Sequence, residues 1–220
     1  MNFLLLQIND SAFPIGSYTQ SFGLETYVQH GLIKNKDHAY KYLKSLLHTQ
    51  ILYTDLLAIK LVYNAPDLQA ILHIESLMNA AASARETRQG MQKLGARFIK
   101  TLQAMTLEHC KDFIAYSKAS KNPTHPSAYA IFCKTQNIAF DEALQSYIYA
   151  QTSNALTNCV KLVPLSQYDG QAILSMLYQE FKILCDKVQN LDIEDFCNAN
   201  AHNDIKAMQH EVLHSRLYMS

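Results

Sequence analysis

Residues 37–63 read DHAYKYLKSLLHTQILYTDLLAIKLVY, and their spacing decides the fold class. Ala39, Tyr42, Leu43, Leu46, Leu47, Ile51, Leu57 and Leu61 recur along one face of a helix. Neither glycine nor proline interrupts the run. Ala65-Pro66 stops it, because proline lacks an amide hydrogen and pushes the preceding residue out of the helical region. Asp67 then stands where a helix-capping side chain is wanted.

Outward from this segment the same pattern repeats. The 220 residues include 28 leucines and 23 alanines against 6 valines, with only 6 glycines and 5 prolines. Unbranched side chains lose little rotamer freedom in a helix, whereas β-branched ones favour strands. The scarcity of turn formers excludes collagen-like and turn-rich all-β chains, and the 49% hydrophobic content excludes disorder. Helical patterns are expected at 2–9, up to His30-Gly31, at 37–63, at 68–84, from Met91 toward Cys110, from Thr124 to Asn137, at 140–162, at 167–190 and from Ile205 to the terminus. Ser166-x-x-Asp169 reads as a capping box. The expectation is an all-α, single-domain bundle of about nine helices. Residues 1–197 form its body. Residues 198–220 form a polar hinge and a terminal helix with Ile205, Met208, Val212 and Leu213 as its stripe, ordered by a partner.

Nineteen basic and nineteen acidic residues cancel. Non-specific nucleic-acid binding therefore lacks its driving field. Apolar runs such as Ala128–Cys133 are about six residues long, far below the roughly 18 of a membrane span. Phe3-Leu4-Leu5-Leu6 is too short for a signal-peptide core. The five cysteines (Cys110, Cys133, Cys159, Cys185, Cys197) form no CxxC pair and read as reduced thiols in a cytoplasm. Neither nucleic acid nor membrane is expected as a partner.

Three motifs could carry chemistry. His210-Glu211-Val212-Leu213-His214 matches HExxH, which on a helix sets two imidazoles on one face beside a general base. A zinc-dependent hydrolase is the alternative function it raises, though the residues that follow supply no third ligand. Gly90-x4-Gly95 lacks the lysine and hydroxyl of a phosphate loop and reads as close helix packing. Asp195, Cys197 and His202 bring a carboxylate, a thiol and an imidazole together in the hinge, a donor set suited to Ni²⁺ or Zn²⁺. Against this, Phe196 and Cys197 can simply anchor the tail. Tyr147 and Tyr149, if exposed, suit a protein interface. Motifs and composition together favour an interaction protein over an enzyme.

Three segments resemble the urease accessory family UreF, most closely its Helicobacter-like members. They are Phe13-Pro14-Ile15-Gly16-Ser17-Tyr18 through Ser21-Phe22-Gly23-Leu24-Glu25; Tyr147-Ile148-Tyr149-Ala150 with Lys161 through Gln171; and Met208-Gln209-His210-Glu211 with Ser215-Arg216-Leu217. The resemblance implies an all-α homodimer that binds UreD (also called UreH) and recruits the GTPase UreG. That assembly delivers nickel to apo-urease, so nickel passes in transit and no cofactor is held tightly. It implies a scaffold and not a catalyst, with a possible hand in regulating UreG. Tyr18, Tyr147, Tyr149, Lys161, Asp169 and Arg216 become the candidate partner-binding residues. Arg216 is expected against the loop 13–23.

Overall fold

The computed structural model describes residues 2–108, 110–198 and 201–219. Among them the chain is all helical. Helix α1 (Phe3–Asn9) is capped by Asn2 and leads into an ordered loop with a 3-10 turn at Ser17–Thr19, then α2 (Leu24–Gln29). Helix α3 is continuous through Lys36–Leu46, a π-helical stretch Leu47–Leu56, and Leu57–Asn64. There follow α4 (Leu68–Ala81), α5 (Arg85–Ala104), α6 (Lys111–Ala119), α7 (His125–Thr135) and α8 (Phe140–Leu162). Helices α9 (Gln167–Met176), α10 (Tyr178–Val188) and α11 (Ala201–His210) complete the chain.

Two of these eleven helices were not expected from periodicity. The pattern from Met91 toward Cys110 breaks after Ala104, and α6 starts afresh at Lys111. The 167–190 pattern bends at Leu177, which is fully buried. Punctuation was read better. Asp67 accepts from the Ala70 amide at 2.9 Å, and Ser166 with Asp169 forms the expected capping box. Pro126 sits in the first turn of α7, where its missing N–H costs nothing.

Helix α7 is the centre. Every residue from His125 to Cys133 is buried, as befits a helix apolar on all sides. It packs on α5 and on the last turns of α3. Gly95 permits the approach of α5: a Cβ there would lie 2.2 Å from the Pro123 carbonyl oxygen. Among the described residues no helix is long and apolar enough to cross a membrane.

The tail reverses its expected orientation. Ile205, Met208 and Val212 are exposed, while Asn203, Lys206, Ala207 and His210 face inward. The helix also stops at His210 and does not run on to the terminus. Ala199 and Asn200 of the proposed hinge lie outside the described residues.

Candidate functional site

The reversed tail has a physical cause in the short helix beneath it. Helix α2 begins at Gly23, whose left-handed φ of 92° suits glycine, and a Cβ there would press on the Ala207 backbone at 3.1 Å. Close approach of α11 to α2 brings His210 over Glu25, which is only 2% exposed. The His210 Nε2 lies 3.1 Å from Glu25 Oε2, and Nδ1 lies 2.7 Å from Glu86 Oε2 on α5. A doubly protonated ring donates to both carboxylates; a neutral ring serves one and needs a carboxylic acid at the other.

The rest of the tail closes over the same pair. The amides of Leu217 and Tyr218 donate to Glu25 at 2.8 and 3.1 Å. Arg216 donates to Glu86 Oε1 at 2.8 Å, and Arg85 pairs with Glu211 at 3.0 Å. The Met219 amide donates to the Thr19 carbonyl at 2.9 Å, which ties the terminus to the loop holding Tyr18. Glu25 and Glu86 are thus the hub of a clamp joining α2, α5 and the tail. Sequence reasoning quoted Glu25 only within a family-like segment, assigned it no role, and did not single out Glu86. The available signal was an acidic residue, Glu25, in the first turn of a helix that follows an apolar loop.

The expected partner residues fall into different settings. Tyr147 is buried and donates to Asp55 at 2.9 Å, so it belongs to the core and cannot serve as an exposed interface anchor. Tyr149 is 47% exposed. Residues two apart on a helix point to different sides, so the two tyrosines never could share a face. Tyr18 is exposed, and Lys161 is exposed in the last turn of α8. Asp169 caps α9, and its carboxyl is held below the usual carboxylate range by Ser166 and by Lys36, 3.3 Å away. Arg216 meets α5, not the loop 13–23; the loop instead receives the tail backbone.

The metal-like motifs come apart. Asp195 is occupied in a second capping box with Asp192. Burial pushes the Cys197 thiol up to about 12, and its amide donates to the Tyr53 carbonyl at 2.8 Å. His202 Nδ1 lies 2.9 Å from the Tyr27 hydroxyl. The hinge trio is therefore not assembled, and Cys197 follows the anchoring reading. HExxH fails because α11 ends at its first histidine, whose two nitrogens already face carboxylates, while His214 is exposed beyond the helix. Among the described residues no three His, Cys, Asp or Glu side chains converge to hold a metal ion.

The UreF family model matches residues 33–178. The chain belongs to the UreF family. It is 32% identical to the urease accessory protein UreF of Lachnoclostridium phytofermentans, covering 98% of this chain and 97% of that one. The UreF of Corynebacterium glutamicum is 29% identical, with 100% and 98% covered. That of Ureaplasma urealyticum is 32% identical, with 98% and 95% covered. The UreF family model begins after the loop 13–23 and ends before the tail, while the relatives align across both. Glu25 and the tail thus lie outside the matched stretch, whereas Arg85 and Glu86, which the tail meets on α5, lie inside it.

Proposed function

We propose that this UreF-family chain is a non-catalytic scaffold of urease maturation in the cytoplasm. It works as a homodimer that binds UreD and recruits the GTPase UreG, so that nickel reaches apo-urease as cargo of the complex. Nickel is substrate here, passing through the assembly. Regulation of GTP hydrolysis on UreG belongs to the same proposal.

The observation that carries this reading is the clamped tail. Its polar side faces Glu25 and Glu86, which leaves Ile205, Met208, Val212, Leu217 and Met219 on the outside. Apolar groups turned to solvent around a fixed frame suit a protein partner. Tyr18 and Arg216 lie on the segments that the Thr19–Met219 bond draws together, and we assign them to UreG recruitment. Tyr149, Lys161 and Asp169 are kept as contacts of the dimer or of UreD, while Tyr147 supports them from the core.

Reconstitution tests it. The chain, a UreD and a UreG are combined with apo-urease, nickel, bicarbonate and GTP. Active urease that depends on this chain is expected, and equal activity when it is left out overturns the proposal.

A further inference from the structure

Beneath the loop 17–22, between the π-helical stretch of α3 and the middle of α8, lies a cavity of about 120 Å³. It is far larger than the roughly 10–15 Å³ that one water needs. A smaller cavity of about 70 Å³ shares Gln50, Asp55, Thr87 and Met91 with it and adds Asp204. Among the described residues, no lysine or arginine lines either one. Asp55, bordering both, accepts from two hydroxyls among the described residues, Tyr147 at 2.9 Å and Thr54 at 3.0 Å. A carboxylate enclosed without a cation is costly, and burial pushes Asp55 up to about 6.

The unpaired atoms on the wall point the same way. Among the described residues, Asn158 Oδ1, Ser21 Oγ and His125 Nε2 are buried without a partner, and each residue is at least nine-tenths buried. Burial pushes His125 down to about 4, so its ring is neutral and one nitrogen is an acceptor. The wall thus offers an anion, an amide oxygen, a hydroxyl and an imidazole nitrogen, and among the described residues it holds no cationic side chain. Opposite them stand Leu46, Ile51, Met91 and Leu94. The rim residues Ser17, Gln151 and Asn154 are partly exposed and give a way in.

We propose that this cavity binds a small primary alkylammonium ion, its head on Asp55 and its stem along Leu46, Ile51, Met91 and Leu94. An ammonium head brings three N–H donors to Asp55 and to the unpartnered Asn158 and His125 acceptors, and its charge balances Asp55. A short aliphatic stem gains by leaving water for the apolar side. A transition metal is disfavoured because the wall holds one carboxylate and no converging set of ligating side chains. The site is independent of the urease reading, and the chain alone suffices to test it.

The experiment titrates the full chain with n-butylammonium, 1-butanol, tetramethylammonium and nickel chloride. Methyl resonances of Ile51 and Met91 and the carboxyl ¹³C shift of Asp55 report binding. Saturable 1:1 binding of n-butylammonium is expected, with Asp55 driven toward its ordinary carboxylate range. The alcohol and the quaternary ion should bind at least about ten-fold more weakly. Asp55→Asn should lose about ten-fold in affinity with the fold kept. Met91→Trp, which fills the cavity without touching Asp55, should abolish binding even if Asp55→Asn disturbs the fold. Equal binding of 1-butanol overturns the proposal. So do unchanged affinity in Asp55→Asn, displacement of the amine by nickel, and an absence of saturable amine binding, which means that water alone occupies the cavity.

Discussion

Helices α7 and α11 have nearly the same length and opposite interiors. Helix α7 buries Ala128, Tyr129, Ile131 and Phe132 and is held by the removal of apolar area from water. Helix α11 buries Asn203, Lys206 and His210 and turns Ile205 and Met208 outward. Its hold comes from a histidine between two glutamates and from tail amides on Glu25. Burial without direction fixes α7 wherever its surroundings close on it. The tail is fixed by a few directional bonds beside only two buried apolar residues among the described ones, Ala207 and Tyr218, so it is expected to open as a unit. This difference assigns folding to the first region, and under the proposed scaffold role it leaves recruitment to the second.

The largest break in that comparison is expected from Phe132→Ala. Phe132 is fully buried and stacks edge-on with Phe98 and Phe113. Its loss should cost about 3–5 kcal/mol of global stability, read by chemical denaturation, with exchange rising everywhere. Glu25→Ala should act locally. Removing the acceptor of His210, Leu217 and Tyr218 costs about 3 kcal/mol, confined to the tail. Hydrogen exchange should quicken over 201–219 and stay slow in α7; uniform loss of protection contradicts the separation.

A third test asks whether the core also carries a polar liability. Asp55 is raised from 3.8 to about 6, so the folded state holds a proton that the unfolded chain releases. Its contribution is complete below about pH 4 and lost as pH rises through 6. His125 is lowered from 6.5 to about 4, so its contribution is complete above pH 6.5 and lost as pH falls. The two slopes oppose each other, and each amounts to about 3 kcal/mol over its window. Asp55→Asn should leave the His125 slope alone, giving stability that climbs with pH between 4 and 6.5. A profile identical to the parent rejects the Asp55 assignment. The smallest stability effect is expected from Arg216→Ala. Its side chain is 40% exposed, so about 1 kcal/mol or less is at stake. Melting should barely move, while UreG capture falls.

Much of the fold was legible because apolar spacing and caps are local signals. The stripe from Ala39 to Leu57 and the caps at Asp67 and Ser166 needed only neighbouring residues. The tail was misread because periodicity tells which residues share a face, not which face is buried. Ile205 and Met208 do share a face, but Glu25, 185 residues before His210 in the sequence, draws the other one inward. Tyr147 was misplaced for the same reason, since its partner Asp55 lies 92 residues away. The metal and hydrolase motifs were spacing coincidences; each needs convergence, and among the described residues no such set of ligating side chains comes together.

The most direct test of the clamp as a recruiting frame is capture of UreD and UreG by the chain carrying His210→Gln. Glutamine keeps a polar side chain under α11, but its two N–H donors sit on one nitrogen and cannot span Glu25 and Glu86 as the two ring nitrogens do. Circular dichroism should be unchanged, exchange should quicken over 201–219 alone, and UreG capture should drop about ten-fold. Parental capture of UreG by a chain whose tail exchanges freely would contradict the account.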